Sequence, residues 1–96
     1  MTTLGLLQDW YRSKCDGQWE HTYGIRISTL DNPGWKVEID LNDTELASKE
    51  FGQVALSQDT ELEWYLCRVQ DGKFQAFCGP VQLTEVIDIF IRWSMP

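Results

Sequence analysis

Cys15, His21 and the carboxylates around them are the residues of this sequence whose types could do chemistry. A thiol, an imidazole and a carboxylate in one site can act as nucleophile, general base and orienting group. The segment after Cys15, Asp16-Gly17-Gln18-Trp19-Glu20, holds two carboxylates and no Lys or Arg. Negative charge raises a thiol pKa, whereas a reactive thiol needs a lowered one. The sequence therefore argues against a cysteine-based, sulfurtransferase-like enzyme.

Metal binding is also disfavoured by the spacing of the possible ligands. The chain has one histidine and three cysteines, Cys15, Cys67 and Cys78, with no Cys-x-x-Cys pair. An odd number of scattered cysteines argues against a zinc site and against a disulfide framework. We interpret all three as buried small apolar residues and expect no metal and no cofactor.

The length and composition indicate a single domain over residues 1–96. Hydrophobic residues make up 43% and aromatic residues 12% of the chain, enough for a compact core. No apolar run is long enough to span a membrane. The first ten residues lack the basic flank and apolar stretch of a signal peptide, so we expect a cytoplasmic protein.

The net charge of −7 is concentrated in residues 31–63. The acidic residues of this segment outnumber its cations, Lys36 and Lys49, by nine to two: Asp31, Glu38, Asp40, Asp43, Glu45, Glu50, Asp59, Glu61 and Glu63. A nucleic-acid-binding domain would carry the opposite sign. The segment is either a solvated face or a docking surface for a basic protein.

The first predicted hairpin joins residues 23–29 to residues 35–41, both of which alternate between apolar and polar side chains. The loop Asn32-Pro33-Gly34-Trp35 suits a type II turn, with Gly34 at positive φ. In the resulting register Ile27 lies opposite Val37, and Arg26 lies opposite Glu38 as a cross-strand ion pair.

The second predicted hairpin joins residues 62–70 to residues 73–78 through Asp71-Gly72, a strong two-residue turn signal. It is apolar on both sides. We expect it to be fully buried at the centre of the sheet; the alternative is an exposed patch of Trp64, Leu66 and Phe77, of the kind that marks interfaces.

Apolar residues at helical spacing predict helices over residues 3–15 and 83–93. Residues 42–59 have no clear period, and only a short edge strand between 49 and 56 is indicated. The predicted fold is α+β: an antiparallel sheet of four to five strands, built from two hairpins, with the amino- and carboxy-terminal helices packed on one face.

The motif Trp19-Glu20-His21, followed ten residues later by Asp31-Asn32-Pro33-Gly34-Trp35, resembles the immunity protein 53 family of bacterial polymorphic-toxin systems. The Asp71-Gly72 turn, Gly79-Pro80 and the pair Phe90 and Trp93 resemble the second half of the same family. The resemblance implies a small cytoplasmic, non-catalytic protein that binds and neutralises a cognate toxin domain. It implies neither a nucleic acid nor a membrane as partner, and leaves the oligomeric state open.

The candidate contact residues are those predicted to point outward from the first hairpin and the segment before it: Trp19, Glu20, His21, Asp31, Asn32, Glu38 and Asp40. Glu38 and Asp40 are the preferred contacts for a basic toxin. Each of the others also has a structural interpretation. Trp19 could belong to the core, Glu20 could accept hydrogen bonds from the hairpin turn or Arg26, and His21 could form a hydrogen bond within its loop. Asp31 and Asn32 could be turn residues that bond their own backbone. The alternative function is a general interaction or homo-oligomerising module that uses Trp64, Leu66 and Phe77.

Overall fold

A computed structural model of the chain describes residues 2–57 and 62–96. Within these ranges the chain forms the helices α1 (Thr3–Lys14), α2 (Trp19–Thr22) and α3 (Leu83–Ser94), and the strands β1 (Ile25–Leu30), β2 (Gly34–Asp40), β3 (Val54–Ser57), β4 (Trp64–Gln70) and β5 (Lys73–Cys78). The strands form one antiparallel sheet in the order β1-β2-β5-β4-β3. The predicted α+β class is confirmed. Two acids of the predicted acidic segment, Asp59 and Glu61, lie outside the described residues.

The register of the first hairpin is the predicted one. Ile27 pairs with Val37, and Arg26 pairs with Glu38. The predicted type II turn is wrong. Residues 31–33 form the turn, Gly34 is already the first residue of β2, and its φ is not positive. Glycine is needed at this position for another reason, a long-range contact. A Cβ at position 34 would overlap the carbonyl oxygen of Cys78 on β5, so only glycine allows these two strands to approach there.

The second hairpin also has the predicted register, with Cys67 opposite Ala76. Its turn residues Asp71 and Gly72 have φ values of 56° and 74°. Two consecutive positive φ angles define the tight turn whose twist matches that of the flanking strands. The sequence signal and the structure therefore agree at this turn.

The core lies between the sheet and the two long helices. Helix α1 packs against α3, and α3 packs against β5. Phe90 of α3 is fully buried, and its ring contacts Trp10 of α1, at a centroid distance of 5.0 Å, and Phe74 of β5, at 5.2 Å. These aromatic contacts join both helices and the sheet into one cluster.

The segment between β2 and β3, which the sequence left undefined, is held by side chains with long-range partners. Leu46 is buried in the core, and the ring of Phe51 packs edge-on against Phe74 and Trp93. The Nζ of Lys49 donates to the Trp93 carbonyl at 2.5 Å. The predicted edge strand is present as β3, shifted toward Ser57.

Candidate functional site

Trp19 lies in the core. Its side chain is 5% exposed, its ring packs against Trp10 and Tyr23, and its Nε1 donates to the Asn42 carbonyl oxygen at 2.9 Å. Of its two interpretations, the geometry matches the structural one. Contact between Trp19 and a partner remains a prediction. Such a contact would require the ring to leave the core.

Glu20 and His21 lie on α2, a single helical turn. The turn forms because Asp16 and Glu20 bind its backbone. Asp16 Oδ1 accepts from the N–H groups of Trp19 and Gln18, each at 2.9 Å, and the Glu20 carboxylate accepts from those of Asp16 and Gly17 at 3.0 and 2.9 Å. The suggested acceptance by Glu20 from the hairpin turn or Arg26 is therefore replaced by local capping.

These hydrogen bonds stabilise the charged form of both carboxylates. Bonds from the backbone N–H groups of Trp19 and Gln18 lower the pKa of Asp16. The Glu20 pKa is lowered by its own backbone N–H and by those of Asp16 and Gly17. Both groups therefore stay ionised at neutral pH, and their role is to hold the segment between α1 and β1.

Asp31 and Asn32 are exposed at the tip of the first hairpin. Strand β1 separates this tip from α2, and its six residues span about 20 Å at roughly 3.3 Å per residue. The structure therefore does not gather the candidate contact residues into one site. They occupy the core, α2, the hairpin tip and the outer side of β2.

Asp40 is buried, contrary to the expected outward acidic pair on β2. Its side chain is 7% exposed, Oδ2 accepts from the Gly24 N–H at 2.9 Å, and Oδ1 lies 3.4 Å from Arg26 Nη2. Its backbone N–H also donates to the Gly24 carbonyl at 3.0 Å. Asp40 therefore satisfies the backbone just before β1, a role that alternation along β2 does not indicate.

Glu38 is half-buried and lies between two cations. Its Oε1 is 3.7 Å from both Arg26 Nε and Lys36 Nζ. The predicted cross-strand ion pair between Glu38 and Arg26 is thus present. The carboxylates of β2 are neutralised locally, so the two residues do not form a free acidic surface.

The sheet face opposite the terminal helices, which we call the open face, is formed by the outward residues of the strands: Arg26, Ser28, Leu30, Lys36, Glu38, Asp40, Ala55, Ser57, Trp64, Leu66, Arg68, Gln70, Lys73, Gln75 and Phe77. Trp64, Leu66 and Phe77 are half-buried. The prediction that the second hairpin is fully buried is therefore wrong, because both long helices pack on the other face of the sheet. Its inward residues Cys67, Phe74, Ala76 and Cys78 are buried.

Phe77, on β5, the central strand of the open face, is flanked by two cations. Lys36 Nζ lies 5.8 Å and Arg68 Cζ 5.4 Å from the centroid of its ring. Arg68 Nε donates to Gln75 Oε1 at 2.9 Å, which holds the guanidinium beside the ring. The sequence reasoning did not single out Lys36 or Arg68. The signal was available in part, since the predicted second hairpin places Arg68 opposite Gln75.

A concave surface lies between α1 and the edge strand β1. It has a volume of about 340 Å³ and is lined by Leu7, Gln8, Tyr11, Gly24 and Ile25. Its lining side chains are apolar or neutral. It therefore lacks the combination of charge and aromatic surface that the open face has.

The cysteines differ in exposure. Cys67 and Cys78 are buried as predicted, but Cys15 is exposed, where its Sγ donates to the Tyr11 carbonyl at 3.3 Å at the end of α1. Burial raises the pKa of Cys67 to about 12 and that of Cys78 to about 11. Among the described residues, no three His, Cys, Asp or Glu side chains lie together as a potential metal site.

Thiol modification of the native protein is expected to label Cys15 alone. Cys67 and Cys78 are inaccessible and protonated at neutral pH, and the thiolate is the reacting form. Mass spectrometry after iodoacetamide treatment should show one adduct on the folded protein and three on protein unfolded in guanidinium. Labelling of Cys67 at the rate of Cys15 would contradict the packing described here.

Fold and surface together define a class of protein: a small α+β domain whose sheet is covered by helices on one side and carries charged and aromatic side chains on the other. None of the helices in residues 2–57 and 62–96 is both long and apolar enough to cross a membrane. The family model of Immunity protein 53 matches residues 4–95, and the chain belongs to this family. No curated protein and no solved structure matches the chain.

Proposed function

We propose that this protein is an immunity protein that binds a cognate bacterial toxin domain in the cytoplasm and neutralises it by covering a surface that the toxin needs, without catalysing a reaction. The observation that carries the proposal is the family match over residues 4–95. That range contains all five strands and, except for Thr3 at the start of α1, all three helices, so the match concerns the whole folded unit.

The architecture supports neutralisation by occlusion. A face of a hydrogen-bonded sheet is a rigid platform, and its outward side chains are not needed for the core on the other side. Strands about 4.8 Å apart and roughly 20 Å long give this platform an area of about 400 Å². A standard interface buries about 800 Å² per partner. A toxin of this kind would therefore also contact segments at the rim of the sheet, where the exposed hairpin tip with Asp31 and Asn32 lies.

Co-expression tests the proposed function. Cells that produce the toxin encoded beside this gene should survive only when this protein is present. The purified protein should form a stable complex with a catalytically inactive toxin, as measured by size-exclusion chromatography with light scattering. Cell death despite folded, abundant protein, with no complex to any product of the locus, would overturn the proposal.

A homo-oligomerising module is the second candidate, and the half-exposed Trp64, Leu66 and Phe77 on the open face are the observation that favours it. Light scattering of the protein alone decides between the two. If the open face binds another protein, the chain is expected to be a monomer over a wide concentration range. A dimer whose mass does not change on dilution would support the second candidate.

A further inference from the structure

We propose that the open face binds an acidic surface patch of the cognate toxin domain, with Phe77 as the apolar centre of the contact and Lys36, Arg68, Arg26 and Lys73 as the surrounding charges. The toxin as partner rests on the proposed function. The negative charge of its contact surface does not rest on that function, because it is inferred from the charges of the open face.

The charges of the chain are segregated. The outward strand positions hold four of the eight Lys and Arg residues but, among the residues that the structure describes, only the carboxylates Glu38 and Asp40. The open face therefore carries +2. The remaining four cations against thirteen carboxylates leave −9 on the rest of the chain. A face opposite in sign to the rest of the molecule attracts and orients an anionic partner.

Among the described residues, not all cations on this face have a carboxylate partner. Arg26 and Lys36 share Glu38, and Arg26 also reaches Asp40. In the described part of the chain, no carboxylate lies within 4.0 Å of the charged nitrogens of Arg68 or Lys73. The hydrogen-bond partner of Arg68 is the neutral Gln75. At these two positions, no carboxylate of residues 2–57 or 62–96 competes with a partner for the positive charge.

The surroundings of Phe77 have the composition of a binding centre. Phe77 is half-buried beside Leu66 on the neighbouring strand, and Lys36 and Arg68 lie over its ring. Aromatic residues and arginine are enriched at the centres of protein interfaces, where a surrounding set of contacts excludes water. A carboxylate that approaches Phe77 would meet Lys36 on one side and Arg68 on the other.

A protein fits this surface better than a nucleic acid does. A nucleic acid is a long polyanion, and its binding relies on many phosphate contacts along a basic surface. A strand that extended beyond the open face would meet the −9 of the rest of the chain. An acidic patch on a folded toxin domain is limited in size and can match a face of a few hundred Å².

Charge reversal of Arg68 tests the inference with a matched control. Arg68→Glu should reduce the association rate with the inactive toxin at low salt by at least about tenfold, because rates governed by complementary charge respond strongly to reversal. Arg12→Glu makes the same change on the exposed side of α1 and should alter the rate less than about twofold. Circular dichroism and thermal unfolding establish that both variants fold.

Glu38→Gln is a second variant, and its expected effect on the association rate is opposite to that of Arg68→Glu. It removes a carboxylate from the open face, so association with an acidic patch should become faster. A basic toxin, as the acidic segment of the sequence suggested, would bind this variant more slowly, and that result would overturn the inference. The Glu38 variant is informative even if Arg68→Glu does not fold.

The remaining outcomes are separable. If the wild-type protein binds no toxin, the proposed function fails. If it binds and both open-face variants match the wild type, this inference alone fails. Binding of the wild-type protein to a single-stranded or duplex oligonucleotide at physiological salt, lost in Arg68→Glu, would overturn it in favour of a nucleic acid. A wild-type dimer that Arg68→Glu dissociates would overturn it in favour of self-association.

Discussion

Replacement of Phe90 by alanine should lower the free energy of unfolding by about 3–5 kcal/mol, the range for removal of a buried phenylalanine. Phe90 is fully buried and its ring contacts Trp10, Phe74 and Trp93. Its removal leaves a cavity at the point where α1, α3 and the sheet meet. Because small domains have only about 5–15 kcal/mol of stability in total, this variant should be partly unfolded at growth temperature and should protect poorly against the toxin.

Urea unfolding followed by tryptophan fluorescence measures this effect. Leu4→Ala is the control, since it also shortens a large apolar side chain but at a position that is 59% exposed. It should change stability by less than about 0.5 kcal/mol. If both variants lost the same free energy of unfolding, the packing around Phe90 would not be the main contribution to the stability of the protein.

Gly34→Ala should destabilise the protein by about 2–3 kcal/mol, a typical effect of forcing atoms into a filled space. The added Cβ would overlap the carbonyl oxygen of Cys78, and this atom belongs to the backbone of the neighbouring strand. Relief requires β2 and β5 to move apart at the pair of Trp35 and Cys78, next to the Trp35 Nε1 bond to the Pro80 carbonyl.

The matched control is Gly52→Ala. A Cβ at position 52 meets no atom within 4 Å, and this glycine does not have a positive φ. Alanine restricts the unfolded chain there, so stability should be unchanged or rise by up to about 1 kcal/mol. If Gly34→Ala were as stable as the wild type in the same unfolding experiment, glycine would not be required for the approach of the two strands.

The regular elements could be predicted from the sequence because their signals are local. Alternation on both sides of each turn determined which residues pair, and the apolar spacing of residues 83–93 determined α3. The predictions failed where a distant residue decides the outcome. The need for glycine at position 34 depends on Cys78, and the burial of Asp40 depends on Gly24.

The functional surface was harder to predict for the same reason. The sequence shows the excess of acids in residues 31–63, but not that Arg26 and Lys36 lie beside Glu38 on one face. The pairing of β2 with β5 brings Lys36 next to Phe77, 41 positions further along the chain. Without that pairing, the cations of the open face are scattered through the sequence and give no recognisable motif.

The packing of α1 against α3 has a consequence for synthesis of the protein. Thr3 Oγ1 donates to Asp88 Oδ1 at 2.6 Å across 85 positions, and Trp10 contacts Phe90. A ribosome adds about 5–20 residues per second, so α1 waits about 4–16 s for its partner helix. Until α3 leaves the exit tunnel, the apolar face of the sheet has no cover from this helix. A chain interrupted before α3 would therefore expose Phe74, whose ring packs on Phe90, and it would become a substrate for chaperones and proteases instead of a protective protein.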